Sequence, residues 1–288
     1  MKISNSQYGV ILSIPGLIII TALVIFPLSM LLVTSVLRYT GIHPITFTGF
    51  GNYKYIFGDR LFWLGLEKAV VYSGGVIALT FLGGVILALL LSKITRGSAI
   101  FRSLAMFSWA VPMVISGFIW RWIFNPNVGV FSDFLMKLKL ISEPLPIFSD
   151  STLSMIACII ADAWVRIPFM CVFTLAGIES VPRGLYDAAK VDGADGIDAF
   201  RYITLPHIKH MVLIALLITS MISFRTIDVI FAMTGGGPGR STYVFSLYII
   251  DQLWLRVNYG TGSAAAVIML LLIASFAGYY VYLIFKKE

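Results

Sequence analysis

Ionisable side chains lie inside several strongly apolar stretches of this sequence. Asp162 and Arg166 are four residues apart and Arg225 and Asp228 are three apart, so in a helix each pair would share one face. Arg121 lies near the end of a further apolar stretch. Charges at membrane depth are rare and usually face a bundle interior or an aqueous route. Two interpretations stay open: these residues line a path for a polar solute, or each pair is a structural clamp and Arg121 extends to the membrane surface.

Aromatic side chains accompany these charges along the chain. They are Trp109, Trp120, Trp122, Trp164 and Phe224. Such rings can stack on a sugar, although rings in membrane helices more often serve packing. Trp164, which lies between Asp162 and Arg166 in the sequence, is the aromatic candidate for the path.

A glycine-rich segment superficially resembles a phosphate-binding loop. The pattern fails because Thr234 replaces the first required glycine and Arg240 replaces the lysine. An apolar stretch also precedes the segment where a strand is required. We therefore predict no nucleotide site here, but a tight turn on the outer side of the membrane whose backbone requires glycine. The turn consists of Thr234, Gly235, Gly236, Gly237 and Pro238.

No other group of residues indicates a catalytic or metal-binding centre. His207 and His210 share a helical face, but two ligands do not make a metal site without a third. Cys158 and Cys171 fall in one apolar stretch and would be about 20 Å apart along a helix, too far for a disulfide. The sequence has no recognisable pairing of a nucleophile with a base. We therefore expect neither an enzymatic reaction nor a metal or cofactor bound by this chain.

Residues 185–206 form the longest polar interruption on one side of the apolar chain. Alanine, leucine, lysine and arginine, all good helix formers, are frequent in it. Gly193 suits the left-handed residue that ends a helix, and Pro206 suits the first turn of a following helix. The composition indicates a structured surface for a partner, which needs supporting elements on either side.

The supporting elements are predicted to be membrane helices. Of 288 residues, 59% are hydrophobic and only 12% are charged, against roughly 25% in soluble domains. Apolar runs of about 20 residues indicate helices that cross a bilayer, and the short alternating segments of a β-barrel are absent. The chain is therefore predicted to be an all-α integral membrane protein with six transmembrane helices. The runs are 10–36, 69–91, 101–124, 153–178, 211–233 and 264–285.

The distribution of lysine and arginine indicates the orientation of these helices. Cations are dense in the short segments on the side of the two termini, for example Lys2, Lys93, Arg201 and Lys287, and sparse in the longer segments on the other side. Both termini are therefore predicted to be cytoplasmic (N-in/C-in). The net charge of +7 follows from this topology and does not indicate a nucleic-acid partner. The first run exceeds the apolar core of a signal peptide, so we interpret it as a retained span.

The polar segment carries a family resemblance. Its pattern is Tyr186-Asp187-Ala188-Ala189-x-x-x-Gly193-Ala194 with Ile203-x-Leu205-Pro206. This pattern resembles the "EAA" loop of ABC importer permeases in its spacing. Asp187 stands where that family usually has glutamate, which shortens the acid by one methylene and keeps its charge.

The glycine-rich turn carries a second resemblance. Its pattern is Phe231-x-x-Thr234-Gly235-Gly236-Gly237-Pro238, followed by Thr242. It is similar to the turn of sugar and glycerol-3-phosphate permeases of the maltose-transporter larger-subunit type. The resemblance extends from about Glu67 to the C-terminus and implies a type I ABC importer permease bundle in the cytoplasmic membrane of a bacterium or archaeon.

The resemblance implies a division of the chain and a set of partners. Residues 1–66 would hold the first transmembrane helix and an extracytoplasmic interfacial segment, and 67–288 the ABC type-1 transmembrane domain with a cytoplasmic coupling loop, 180–208. The loop would dock in a groove of a partner ATPase, and two such cytoplasmic subunits would use ATP and Mg. A second homologous permease would complete a heterodimer, and an extracytoplasmic solute-binding protein would deliver the solute.

The resemblance also implies roles for residues of the loop. Leu185 would be an apolar anchor, Asp187 would pair with an ATPase cation, and Gly193 would turn the chain. Ala188 and Ala189 would leave a thin ridge that permits close approach. The remaining residues of the motif are Ala194, Leu205 and Pro206.

Several substrates and one other class of transporter stay open. The leading hypothesis is import of a sugar, with an oligosaccharide as the preferred cargo. The same machinery could import glycerol-3-phosphate or a phosphodiester, since Arg121 and Arg225 suit an anion, although Asp162 and Asp228 can neutralise their charge. A secondary transporter with Asp162 as its ion-coupling acid would leave the polar segment without a task, and no internal repeat is apparent. A membrane enzyme is the remotest alternative.

Overall fold

The computed structural model describes residues 5–94 and 96–286. Lys2 and Lys287, used above for the orientation, lie outside the described residues. The first part of the chain contains α1 (Asn5–Ile20), a π-helical turn (Thr21–Ile25), α2 (Phe26–Ser35), strands β1 (Leu37–Arg38) and β2 (Thr46–Phe47), α3 (Gly51–Gly58), α4 (Arg60–Ser92), α5 (Ser98–Met106), a 3₁₀ turn (Phe107–Ala110), α6 (Met113–Ile123) and α7 (Val130–Lys137). The second part contains α8 (Ser151–Glu179), α9 (Arg183–Val191), α10 (Gly196–Ala199), a π-helical turn (Phe200–Thr204), α11 (Leu205–Arg225), α12 (Asp228–Met233), α13 (Phe245–Ile250), a π-helical turn (Asp251–Leu255) and α14 (Tyr259–Phe285).

The prediction of an all-α membrane protein with six spans is confirmed. Five helices in the described ranges are long and apolar enough to cross a bilayer, and a bent pair supplies a sixth span if it is counted as one. The five are Ser13–Ser35, Arg60–Ser92, Ser151–Glu179, Gly196–Arg225 and Tyr259–Phe285, and the bent pair is Ser98–Ala110 with Met113–Ile123.

The third predicted run, 101–124, is wrong as a single straight helix. Its two parts meet at an angle of 94°. Proline lacks a backbone N–H and disfavours helical backbone at the residue before it. Accordingly Val111, which precedes Pro112, is extended with φ −77° and ψ 124°. The break therefore follows from one residue that hydropathy alone does not weigh.

The fifth predicted run, 211–233, is also wrong as one helix. The helix ends at Arg225, Thr226 is extended with φ −63° and ψ 136°, and a separate short helix starts at Asp228. The Thr226 hydroxyl donates to the carbonyl of Ile222 at 2.9 Å. A side chain therefore satisfies a carbonyl near the helix end, which helps to stabilise the break.

The chain divides into two compact groups. One comprises residues up to 63 together with 248–271, and the other comprises 64–247 together with the residues from 272 onwards. In the first group, the Asn52 amide donates to the carbonyls of Ser35 and Leu37 at 2.8 Å. The Tyr248 hydroxyl donates to the Asp59 carboxylate at 3.2 Å. The Asn52 bonds hold α3, which lies in the predicted interfacial segment, against the end of α2, and the Tyr248 bond joins the end of α3 to α13.

In the second group, α4 and α8 pack closely through glycines. A β-carbon at Gly75 would lie 2.6 Å from the Ile159 side chain, and one at Gly83 would lie 2.7 Å from that of Ile167. At Gly84 it would overlap the Met170 side chain. Small residues let helix backbones approach closely in lipid, and these glycines do so here. The same relationship joins α6 to α12, where a β-carbon at Gly117 would lie 2.6 Å from that of Ala232.

Candidate functional site

The predicted partner surface is built around α9, a two-turn helix that ends as the sequence predicts. Gly193 has φ 80°, a left-handed conformation that disfavours side chains with a β-carbon. Its amide donates to the Lys190 carbonyl at 3.2 Å, and the Ala194 amide donates to the Ala189 carbonyl at 2.9 Å. This pair of bonds is a Schellman motif, which satisfies the last carbonyls of the helix and reverses the chain.

One side of α9 is attached to the rest of the chain. Tyr186 is half-buried, and its hydroxyl lies 2.9 Å from the hydroxyl of Thr204, which is buried. The Thr204 hydroxyl also donates to the Ala199 carbonyl at 3.3 Å. These bonds fix the rotation of α9 about its axis, because Tyr186 must face the segment that follows.

The other side of α9 is exposed. Leu185 is 40% exposed and Val191 is 88% exposed. Asp187 and Ala188 are exposed as well, and Ala189 is half-buried. The exposed side of α9 is therefore a ridge of apolar residues and alanines with the Asp187 carboxylate beside them, and it points away from the rest of the chain. Its residue types suit a protein partner that supplies a cation and an apolar groove.

The return segment completes this surface. The Asp195 carboxylate accepts hydrogen bonds from the amides of Ile197 and Asp198 at 2.7 and 2.9 Å, so it caps α10. A π-helical turn then continues with helical backbone into α11, so Pro206, predicted in the first turn of a helix, lies with Leu205 inside the continuous helix Gly196–Arg225. The wider π-helical turn just before Pro206 is where the helix adjusts to the missing proline N–H.

Sequence reasoning missed two features of this surface. The bond between Tyr186 and Thr204 spans eighteen residues, and helix periodicity does not reveal it. Ile197 and Tyr202 are 74% and 68% exposed, and both extend the apolar part of the surface. Large apolar residues within an otherwise polar segment were the available signal.

The charged pair of α8 is enclosed within the second compact group. Asp162 is fully buried and Arg166 is 6% exposed. Arg166 Nε donates to Asp162 Oδ1 at 2.7 Å, and Arg166 Nη2 donates to Asp162 Oδ2 at 3.3 Å. The Tyr72 hydroxyl donates to Asp162 Oδ2 at 2.8 Å, and Arg166 Nη2 donates to the Thr226 hydroxyl at 2.8 Å.

This network ties three helices together in the apolar interior. Tyr72 belongs to α4, the ion pair belongs to α8, and Thr226 follows α11. A buried ion pair persists when further hydrogen bonds satisfy both partners, as they do here. Neither side chain is accessible to a solute in this structure. The contacts therefore support the clamp interpretation for Asp162 and Arg166.

The other charged candidates are exposed. Arg121 lies in the last turn of α6, and its Nη1 donates to the Ala232 carbonyl at 3.3 Å. Arg225 and Asp228 lie in separate helices on either side of the break at Thr226, so helical spacing does not bring them together. They are not among the ion pairs of the described residues. The clamp interpretation therefore does not apply to this second pair.

Trp164, the aromatic candidate for the path, packs against other residues of the chain. Trp164 is half-buried and meets the ring of Trp120 edge-on at a centroid distance of 5.9 Å. Its carbonyl accepts a hydrogen bond from the Ser108 hydroxyl at 2.9 Å. Trp109 and Trp122 are more than half exposed, so contacts within the chain do not cover their rings.

The glycine-rich turn has the backbone that the sequence predicts. Gly235 and Gly236 have φ of 61° and 96°, which glycine adopts far more readily than other residues. The hydroxyls of Thr234 and Thr242 lie 2.7 Å apart, and that of Thr242 donates to the Gly237 carbonyl at 2.8 Å. The peptide bond that precedes Pro238 is cis. Threonine hydroxyls thus close the turn, and we find no phosphate cradle in its sequence.

No group of three or more His, Cys, Asp or Glu residues in the described ranges is placed to hold a metal ion. His207 Nδ1 lies 2.8 Å from the Ile203 carbonyl one turn earlier. Cys158 and Cys171 are both free and buried.

Several membrane-spanning helices and a structured, exposed loop between two long spans define the class as a polytopic membrane protein. Comparison with known proteins identifies the family. Residues 80–288 match the family of binding-protein-dependent transport system inner membrane components, and the chain belongs to it. It is therefore a multi-pass membrane protein of the transport-permease type.

Individual relatives are similar over nearly the whole chain. The trehalose/maltose transport system permease protein MalF of Thermococcus litoralis is 31% identical, over 97% of this chain and 94% of the relative. The sulfoquinovosyl glycerol transport system permease protein SmoG of Agrobacterium fabrum is 32% identical, over 100% of this chain and 94% of the relative. A chain of a bacterial ABC transporter involved in the import of the acidic polysaccharide alginate has the same fold, with a TM-score of 0.81 at 19% identity over 97% of this chain and 96% of that chain.

Proposed function

We propose that this chain is the permease subunit of an ATP-driven importer and forms half of the translocation path for a sugar. The observation that carries the proposal is the outward ridge of α9, fixed from behind by Tyr186 and ended by Gly193. A family member with such a surface needs a partner to contact it. That partner would be an ATPase, and ATP with Mg would be bound there and not by this chain.

In this proposal the orientation is N-in/C-in, so α9 lies in the cytoplasm. The dense cations on the side of α9 support this orientation. Two cytoplasmic ATPase subunits would act on the importer, one through α9 and the other through the equivalent helix of a second permease. Closure of the ATPases would move the helices as rigid bodies between inward- and outward-facing states.

The solute class is proposed from the relatives. The named relatives are permeases for trehalose and maltose and for sulfoquinovosyl glycerol, which are all glycosides. A small glycoside, delivered by an extracytoplasmic binding protein, is therefore the proposed cargo. Exposed rings such as Trp109 and Trp122 are suited to stacking on a sugar.

An anionic solute is a second candidate, favoured by one observation. The charge of Asp162 is neutralised by its ion pair with Arg166 in the buried network, so it cannot neutralise the charge of the exposed cations. Among the charged candidates this leaves Arg121 and Arg225 against Asp228, an excess of one positive charge. Removal of the Asp162–Arg166 pair takes away one charge of each sign, so the excess is the same as in the sequence, but all of it now lies on exposed residues. A sugar sulfonate or glycerol-3-phosphate fits this positive excess.

Co-purification tests the proposed function. The full chain, tagged and extracted in mild detergent, should retain an ATPase and a second permease, both identified by mass spectrometry. Asp187→Lys should weaken retention of the ATPase and leave the second permease bound. A chain that purifies alone and takes up labelled trehalose or maltose on an ion gradient would contradict the proposal.

Uptake separates the two candidate solutes. Vesicles that contain the assembly and its binding protein should accumulate either labelled maltose or labelled glycerol-3-phosphate when ATP is supplied. If the solute is glycerol-3-phosphate, Arg121→Gln should raise KM more than it lowers kcat, because the variant loses a cation that binds the phosphate. For a neutral sugar, the same variant should leave KM nearly unchanged.

A further inference from the structure

A large cavity lies where the ends of the long helices meet the α9 segment. Its volume is about 910 Å³. Residues of α4, α5 and α8 form one part of its wall, and residues of α9, α10 and the following π-helical turn form the other. The cavity lies entirely within the second compact group and away from the buried network of Asp162.

The wall of the cavity carries an excess of positive charge. Lys93, Arg102 and Arg183 line it together with one acid, Glu179. Arg102 and Glu179 form an ion pair, so the acid is already engaged. Lys93 and Arg183 are exposed and take part in none of the ion pairs found among residues 5–94 and 96–286. Two cations therefore remain for a ligand.

Arg102 offers a donor of its own. Its Nε is buried and has no hydrogen-bond partner within the described part of the chain, although a terminal nitrogen binds Glu179. A buried donor without a partner is costly, so the Arg102 guanidinium has hydrogen-bonding capacity that its pair with Glu179 does not use. Arginine and lysine together are well suited to a phosphate.

Apolar side chains also form part of the wall. Leu89, Ile94, Ile178 and Phe200 contribute to it. The cavity thus combines cations with hydrocarbon at the end of membrane-spanning helices. An amphiphile with an anionic head matches this combination better than a free inorganic ion, and basic pockets at such positions are known to hold anionic lipid headgroups.

We propose that this cavity binds the phosphodiester headgroup of an anionic membrane lipid. Lys93, Arg102 and Arg183 contact the phosphate, and the start of the acyl chains lies against the apolar wall. Tyr186 and Thr204 also line the cavity. The lipid therefore lies behind α9 and, on the basis of the proposed function, supports the position of α9 against the spans.

Lipid binding is measured on the full chain with the partners that it retains in mild detergent. The assembly is placed in nanodiscs of phosphatidylcholine doped with phosphatidylglycerol, and bound lipid is counted by native mass spectrometry. Lys93→Gln with Arg183→Gln removes the two free cations and leaves the Arg102–Glu179 pair intact. Arg96→Gln with Arg201→Gln is the matched control, because both residues are exposed cations near the cavity but outside its wall.

The first double variant should lose phosphatidylglycerol binding by about tenfold, because it removes two of the three cations that line the cavity and contact the phosphate. The control should bind as the unmodified chain does, and Lys93→Arg with Arg183→Lys should restore binding. Equal loss in both glutamine variants, or no loss in either, would overturn the site. If inorganic phosphate in the buffer displaced the lipid, the site would be one for free phosphate, and the proposal of a lipid ligand would be wrong. ATP-driven uptake tests only the proposed function, so its absence would leave the lipid result unaffected.

Discussion

The hydroxyls of Tyr186 and Thr204 lie 2.9 Å apart and join α9 to the segment that leads into α11. Movement of α9 is therefore transmitted to a membrane span through one side-chain contact as well as through the backbone.

Tyr186→Phe removes the hydroxyl contact and keeps the ring. The loss should destabilise the attachment by about 1 kcal/mol, the usual net contribution of one hydrogen bond. We expect normal insertion and normal ATP hydrolysis, with less solute transported for each ATP consumed. The measurement is the ratio of uptake to hydrolysis in proteoliposomes. Tyr202→Phe is the control, since Tyr202 is 68% exposed on the same segment; equal effects of both changes would argue against the attachment.

Gly193→Val places a branched side chain at φ 80°. The left-handed conformation should cost about 1–2 kcal/mol, so the end of α9 should change shape. We expect the chain to insert and to lose ATP-coupled uptake. Gly184→Val is the matched control, because a β-carbon at Gly184 meets nothing within 4 Å. Uptake at the normal rate by the Gly193 variant would contradict a coupling role for this turn.

The Asp162→Asn variant tests whether Asp162 has a structural role or lines a path for the solute. Removal of one partner leaves Arg166 buried without its counter-charge, which should destabilise the fold by about 3–5 kcal/mol. We expect a clearly lower thermal midpoint in detergent, and Asp162→Leu with Arg166→Met should recover part of it. Asp228→Asn should change the midpoint little, because Asp228 is exposed. An Asp162→Asn protein with a normal midpoint and no uptake would instead place the residue on the path.

Gly84→Ala adds one methyl group where α4 meets α8. The new carbon would overlap the Met170 side chain, so we expect destabilisation of about 1–3 kcal/mol from overpacking. Gly74→Ala is the control on the same helix, since its β-carbon would meet nothing within 4 Å. Thermal unfolding of both variants in detergent makes the comparison. Equal thermal midpoints of the two variants would show that α4 and α8 accommodate the added methyl group without loss of stability.

Much of the fold follows from properties that act along the chain. Hydropathy indicates the spans because a bilayer requires about 20 apolar residues for each. The left-handed Gly193 follows from local backbone preferences. The bend at Pro112 was readable in principle, but a hydropathy window gives a proline in an apolar run little weight.

Other features depend on contacts between distant residues. Spacing suggested that Asp162 and Arg166 pair, but their burial depends on Tyr72, ninety residues away, and on Thr226, sixty residues away. The break at Thr226 has no comparable local signal, so Arg225 and Asp228 looked like members of one helix. Side chains that meet only after the helices pack are not visible in a single sequence.

The breaks at Val111 and Thr226 have a mechanical consequence for the exposed charges. Glycine contacts and the Tyr72–Asp162 bond make α4 and α8 a stiff block. By contrast α6 and α12, which pack on each other through Gly117, each follow an extended junction that lacks regular helical bonds. A change in tilt there disrupts fewer backbone hydrogen bonds than a bend within α8 would. Arg121 and Asp228 thus lie on two half-helices whose junctions resist a change in tilt less than the continuous helices of the block do.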